Sequence, residues 1–344
     1  MLFALQTFFR RRTQRIVTSG TSDQAPTAGP SVKHDEADVR PEGLATRAAW
    51  AILRAVQAVV AAVPLRAALW MGRRLGDAAY FVVYPRTKVA LEQLAWAMPE
   101  LSTSRRRAAI REMYRQFGQG AVEFFRLPRM VARGELDRIV TVEGEHIVRD
   151  AFAQGKGLLI LTAHYGNFEL LATFFAARGY QVNLVTRKLR NGVLDRFWAE
   201  QRRRLKIRAI FKDQSLKEVI ARLRRNEAMG YVLDQNMGPG QGVFVEFFGR
   251  PACTLGVVAV LAKRFGSPVV PVFISRDPGD PTHHHIVFEP PLAFESRSGG
   301  ETEGTADADF LENTQRYTAV IERRVRERPD HWIWIHKRWK TRPR

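Results

Sequence analysis

Cysteine is nearly absent: the 344 residues hold one, Cys253. That excludes a disulfide framework and a thiolate zinc site within one chain. Acidic residues are scarce beside basic ones, 35 Asp and Glu against 54 Lys and Arg, a net charge of +19. Such a balance calls for an anionic partner: nucleic acid, an acidic protein or a membrane with anionic headgroups. Charge alone does not choose among them. No run reaches the roughly 18 uncharged apolar residues of a plain membrane-spanning helix. The first residues (MLFALQTFFRRRTQRIV) place apolar side chains before charge, the reverse of a secretory signal. Hydrophobic residues, at 45%, are plentiful enough for a sizeable core, and they argue against global disorder. The length suits one large domain or two small ones.

The pattern divides the chain into three regions. Residues 1–43 comprise a short basic amphipathic stretch and a linker rich in Ser, Thr, Pro, Gly and charge. Residues 44–133 read as helical. From Ala45 to Val83 apolar residues such as Trp50, Ile52, Val56, Val59, Leu69 and Trp70 are dense, interrupted by Arg47, Arg54, Arg66, Arg73, Arg74 and Asp77 and split by Pro64. This predicts two amphipathic helices that lie in or against a bilayer with arginines reaching the headgroups. The alternative is two helices packed on the protein's own core. From residue 134 to 344, short apolar runs alternate with helical stretches. Strands are expected at 158–162, 181–187, 207–211, 229–234, 243–248, 269–274 and 283–288. Helices are expected at 167–178, 192–205, 216–225, 254–265 and 309–328. The alternation predicts an α/β fold, a sheet with helices on its faces.

The segment HYGNFE, residues 164–169, follows a buried strand and opens a helix. Histidine suits general base work near neutral pH, and a carboxylate on its second ring nitrogen would fix the tautomer. Residues five apart on one helix lie about 140° apart around it, so His164 must sit in the turn before the helix and Glu169 on its first turn. Gly166 supplies unusual dihedrals and Asn167 a cap. The N–H groups of that helix start suit an oxyanion or a phosphate. The alternative is a capped helix start with an incidental histidine.

The surrounding residues resemble a known family. HYGNFE is similar to the His-x4-Asp/Glu motif of glycerolipid and lysophospholipid acyltransferases. GKGLLILTAHYGNFELL (155–171) more closely resembles the bacterial lipid A biosynthesis (lauroyl/myristoyl) acyltransferases. So do VTRKLRN (185–191), YVLDQNMGPGQGVFVEFFGRPACT (231–254), SPVVPVFISR (267–276) and HWIWIHKRWK (331–340). This chain has Arg187-Lys188-Leu189 where the family usually has Arg-Pro-Leu. The likeness covers about 140 to 344 well and the N-terminal helices loosely. It implies a mixed, mostly parallel sheet flanked by helices, with an N-terminal membrane-associated segment. It also implies an O-acyltransferase without metal or cofactor, whose co-substrate is an acyl carrier protein or coenzyme A thioester. His164 would be the general base, oriented by Glu169, and the acceptor a hydroxyl of a lipid A precursor or a related glycolipid or lysophospholipid. Arg187 would bind an anionic headgroup or the donor's phosphopantetheine, unless it is a surface arginine at a strand end. The implied location is the cytoplasmic face of the cell inner membrane, as a peripheral, monotopic or single-pass protein.

Asp234 ends a buried strand, where open α/β sheets place their crevice. It either orients Arg187 or the acceptor, with Gln235 beside it, or serves a turn or cap. Glu246 lies within VFVEFF. A charge there needs a partner such as His164 or Arg187, unless the strand is an edge with Glu246 in solvent. The glycine-rich loop 236–242 lacks the Gly-Lys-Ser/Thr ending of a phosphate loop. His283 and His285 share a strand face that could bind metal, though a solvated face is the favoured reading. The arginine clusters at 10–12, 105–107, 202–204 and 323–328 suit anionic lipid or an acidic carrier protein. The competing reading is a non-catalytic basic protein that binds membrane or nucleic acid. No helix-turn-helix, zinc-finger, RRM or KH pattern supports the nucleic-acid form, so nucleic acid is not expected as a partner.

Overall fold

The computed structural model describes residues 43–186, 189, 191–211, 215–296 and 303–343. The N-terminal stretch expected over 1–42, the Arg10–Arg12 cluster, Arg187 and Lys188 lie outside the described residues. The chain divides into two compact units, Met1–Ala55 and Val56–Arg344. In the first, the described residues are Gly43 and the beginning of helix α1 (Leu44–Ala62).

Helix α1 has 19 residues, none of them buried, and is long and apolar enough to cross a membrane by length and composition. Arg47 and Arg54 lie within it, so it differs from an uncharged span. Pro64 stands at the N-cap of α2 (Leu65–Val82), where its missing N–H costs no helix bond. After α3 (Tyr84–Ala97), α4 (Thr103–Ala132) runs for 30 residues from an N-cap at Ser102, whose Oγ accepts from Arg105 N at 3.3 Å. Helices α2 and α4 cross with almost no side chain between them. A Cβ on Gly118 would meet the Gly72 carbonyl oxygen at 2.1 Å, and one on Gly76 would meet that of Tyr114 at 2.4 Å.

The short α5 (Leu136–Ile139) leads into a seven-stranded sheet. Its strands are β1 (Val140–Glu143), β2 (Leu158–Thr162), β3 (Val182–Thr186), β4 (Arg208–Phe211), β5 (Ala228–Val232), β8 (Val269–Arg276) and β9 (His284–Phe288). The order across the sheet is β1-β9-β8-β2-β5-β3-β4, and every neighbouring pair is parallel except β8 with β9. The crossovers carry α6 (Glu145–Ala153), α7 (Phe168–Ala177), α8 (Gly192–Arg204), α9 (Ser215–Arg224) and α10 (Val257–Phe265), and α11 (Glu303–Glu327) follows β9. The mixed, mostly parallel α/β sheet expected from the alternation is therefore present. The central β2, with sequence LLILT, is buried along its whole length, as a strand covered by helices on both faces must be.

Beside the sheet lies a hairpin, β6 (Val243–Phe247) and β7 (Arg250–Thr254). Its two-residue loop, Phe248 and Gly249, has φ of 54° and 69°. Both signs are those of the tight turn that matches strand twist. The helix expected from 254 begins instead at Val257, because Thr254 is the last residue of β7. Strand β1 had no forecast: it is four residues long and only Val140 is buried, so it leaves almost no apolar signal. The main core joins the sheet to the closing segment, with Trp332 and Trp334 wholly inside it.

Candidate active site

Strands β2 and β5 are parallel neighbours with Thr162 opposite Val232. Two residues past each strand end, the same register brings His164 against Asp234. The His164 Nδ1 lies 2.9 Å from Asp234 Oδ1, and the His164 backbone N–H donates to Oδ2 at 2.9 Å. The Trp332 indole N–H donates to that same Oδ2 at 2.7 Å. Asp234 thus holds both the ring and the main chain of the histidine. The His164 side chain is 23% exposed and that of Asp234 only 3%, so the ring can meet a substrate while its partner is shielded.

The electrostatics follow from this packing. Burial pulls the Asp234 carboxyl upward, but the charge and hydrogen bonds of His164, with the Trp332 N–H, outweigh it and hold it at about 2. Burial lowers the affinity of His164 for its proton. The charge and hydrogen bond of Asp234, aided by the charge of Glu169, outweigh that and raise its pKa above the ordinary 6.5. With Nδ1–H donating to Asp234, the outer Nε2 carries the basic lone pair. The amide nitrogen of the exposed Gln235 lies 3.1 Å from that Nε2.

The motif's turn is held from three sides. Gly166 has φ of 56°, and a Cβ there would meet the Ile274 carbonyl oxygen at 2.0 Å, so no other residue fits. Its N–H donates to the His331 carbonyl at 2.8 Å, and Ile333 N donates to the His164 carbonyl at 3.2 Å. Asn167 caps α7, its Oδ1 accepting from Leu170 N at 3.0 Å. Its amide donates to Glu123 Oε2 at 2.6 Å. Glu123, on α4, also accepts from Arg276 through both oxygens at 2.7 Å and contacts His284 Nε2 at 2.9 Å. Burial would raise the Glu123 carboxyl, yet Arg276 and His284 hold it well below the usual range.

Glu169 lies on the first turn of α7, as its spacing requires, but its carboxylate does not bond His164. Its carboxylate accepts from Trp198 Nε1 at 2.9 Å and from Arg202 Nη2 at 2.5 Å, both on α8. The hydrogen bond to His164 expected of Glu169 is made by Asp234 instead. The reason is geometric: β5 delivers Asp234 to the ring, whereas the first turn of α7 turns Glu169 toward α8.

The other forecast residues divide. Asp234 and Gln235 join His164, while Arg187 lies outside the described residues. Glu246 is exposed on the hairpin, and its backbone N–H and C=O bond the Gln315 side chain, so it is not brought to the histidine. His285 binds Asp277 and His283 binds Thr141, and among the described residues no group of three or more His, Cys, Asp or Glu could hold a metal. Several arginines of the predicted clusters are paired within the protein, although the net charge of +19 is unchanged by this: Arg202 with Glu169, Arg204 with Glu200, Arg323 and Arg324 with Glu289, Arg326 with Glu322 and Arg328 with Asp330.

Three residues escaped sequence reasoning: Glu123, Trp332 in its role on Asp234, and Arg338. The last is wholly buried and donates to the Gln235 and Cys253 carbonyls, with burial lowering its pKa to about 10 despite the attraction of Asp234. The available signal for Glu123 was an acid set among the apolar residues of an arginine-rich helix, in AVEFF.

Comparison with known proteins bears on this arrangement. The model of the family described as bacterial lipid A biosynthesis acyltransferase matches residues 38–341. The chain is 28% identical over 280 residues to the lipid A biosynthesis lauroyltransferase of Escherichia coli (strain K12), covering 79% of this chain and 85% of that protein. It is 24% identical over 279 residues to the palmitoleoyltransferase of the same organism, covering 80% and 85%. With the myristoyltransferase the figures are 26% over 255 residues, covering 74% and 75%. With its motif blocks in order, its mostly parallel sheet and a match across nearly its whole length, this chain belongs to the bacterial lipid A biosynthesis acyltransferase family.

Proposed function

We propose that this protein transfers a fatty acyl group from an acyl carrier protein or coenzyme A thioester to a hydroxyl of a lipid A precursor or a related glycolipid or lysophospholipid. The observation that carries the reading is the His164–Asp234 pair at the ends of β2 and β5, with one ring nitrogen bound to a buried carboxylate and the other facing outward. Nε2 takes the acceptor's proton as its oxygen attacks the thioester carbon. Asp234 stabilises the imidazolium that forms. The tetrahedral intermediate then expels the thiolate, which recovers the proton from Nε2, leaving an ester and a free thiol. The first-turn N–H groups of Phe168 and Glu169 have no intrahelical acceptor and lie at the positive end of α7, where a developing oxyanion is stabilised.

Glu169 supports the reaction at one remove. Its charge adds to that of Asp234 in favouring the imidazolium, and its pairing with Arg202 fixes α8 against α7. Arg187 recognises an anionic group of donor or acceptor through its planar fork. The protein works at the cytoplasmic face of the inner membrane with α1 as its anchor.

The test is a matrix of donors and acceptors. Membranes containing the protein are given labelled acyl carrier protein or acyl-coenzyme A and a panel of glycolipid and lysophospholipid acceptors, and products are read by mass spectrometry. One added acyl group on a hydroxyl-bearing acceptor, absent when that hydroxyl is blocked, is the expected result. Acylation of none of them from either thioester would overturn the proposal.

A further inference from the structure

Helix α2 presents an apolar face that the fold leaves uncovered. At 100° per residue, Ala67, Trp70, Met71, Arg74, Leu75, Ala78, Phe81 and Val82 fall within one arc of about 140°, and all eight are exposed. Trp70 is 61% exposed, Leu75 66% and Phe81 64%. The adjoining Phe117 of α4 is exposed too. A contiguous face of this kind on a protein surface marks an interaction site.

The helix cannot turn that face inward. Its opposite side carries Ala68, Gly72 and Gly76, and Gly72 and Gly76 are locked against the backbone of α4 at separations that admit no Cβ. Around the rings sit cations. Arg74 lies over Trp70 at 6.0 Å and Arg111 over Phe81 at 5.9 Å, with Arg66 at the edge of the arc. Carboxylates offset these cations only in part: Arg74, Arg111 and Arg115 share the buried Asp77, Arg73 and Arg115 share Glu112, and Arg66 reaches Asp280 at 3.3 Å, so five arginines face three acids and the patch stays net positive.

We infer that the α2 face is a bilayer contact of the catalytic unit, inserting Trp70, Leu75 and Phe81 among the acyl chains of an anionic membrane while Arg66, Arg74 and Arg111 meet the headgroups. Amphipathic aromatic and arginine side chains suit that interface. Charge favours lipid over a second copy of this chain, because a twofold interface through the same face sets these arginines against their own mates. The inference rests on the membrane location proposed above and adds which face of the catalytic unit meets the lipid, separately from α1.

The test uses the full chain with a polarity-sensitive fluorophore on Leu75→Cys, the native Cys253 being buried, and a control label on Arg225→Cys. Vesicles of phosphatidylglycerol and phosphatidylcholine carry brominated acyl chains. The label at 75 is expected to shift to the blue and be quenched on phosphatidylglycerol-rich vesicles, while the label at 225 is not. A Trp70→Gln/Phe81→Gln variant should abolish the quenching at 75 and lower vesicle partitioning by about tenfold or more, each fully buried apolar side chain being worth about that factor. His164→Ala, by contrast, should keep the quenching and lose acyl transfer, which separates failure of this inference from failure of the proposed reaction. A label at 75 that is never quenched overturns the inference. So does equal quenching on wholly neutral vesicles, or a lipid-free dimer that the double variant dissolves while vesicle binding stays unchanged.

Discussion

Replacing Asp234 by Asn changes one atom and leaves the shape of the site intact, so its effect isolates the carboxylate. Oδ2 accepts two N–H groups, from the His164 main chain and Trp332, and an amide oxygen must occupy that position to satisfy both. The amide NH2 then faces His164 Nδ1. That nitrogen must give up its proton to accept, and the hydrogen moves to Nε2, the nitrogen that should be the base. Loss of base catalysis costs about 10²–10⁴-fold in rate, and Asp234→Asn should fall in that range while KM changes little. The carboxylate is held at about 2 against an ordinary 3.8, which corresponds to about 2 kcal/mol of preference for the charged form. The pH dependence has a definite sign. The base must be neutral, so wild-type activity rises as pH passes upward through the raised value of His164. Without the carboxylate, burial dominates and the midpoint moves to lower pH on a much lower plateau. Stability moves in linkage. The part owed to His164 is fully present below pH 6.5 and is lost as pH rises through its folded value. The part owed to Asp234 is present above 3.8 and is lost as pH falls toward about 2. Steady-state kinetics between pH 5 and 9 on both proteins is the assay. An Asp234→Asn enzyme within threefold of wild type, with an unmoved midpoint, would refute the reasoning.

The remaining predictions concern what holds the site. Glu169→Ala and Arg202→Ala each leave a mostly buried charge without its mate, so each should lose about 3–5 kcal/mol in denaturant titrations; the double variant should lose clearly less than the sum. Glu123→Ala strands Arg276, His284 and the Asn167 cap together, and should lower stability by at least as much and broaden unfolding. Gly118→Ala puts a methyl 2.1 Å from the Gly72 carbonyl oxygen, and the helices must part at a cost of about 1–3 kcal/mol, read as a lower Tm; an unchanged Tm would show that the α2–α4 crossing is loose.

Much of this was legible in the chain because local apolar runs report strands directly. LLILT at 158–162 and the run beginning at Val269 form β2 and β8, and HYGNFE forms the expected turn entering a helix with Asn167 as its cap. The partner of the histidine was harder. Asp234 was recognised as lying at the crevice end of a buried strand, but its contact with His164 joins residues 70 apart. That contact exists only because β5 inserts beside β2, a strand order that no local pattern encodes. The motif resemblance implies Glu169 as the partner of the ring, and neither motif nor spacing reports Trp198 and Arg202, which claim it from the next crossover helix. Charge counts are likewise silent about pairing: the arginines of α11 bond carboxylates of their own helix or of the segments beneath it, acids that the net charge of +19 already includes.

The central claim is that His164 Nε2 removes the acceptor's proton. Its most direct test is the rate of acyl transfer by His164→Ala, measured beside wild type on the same thioester and acceptor, with circular dichroism to show that both are folded. The account predicts a folded variant slower by about 10²–10⁴-fold. Turnover equal to wild type would contradict it and remove His164 as the base.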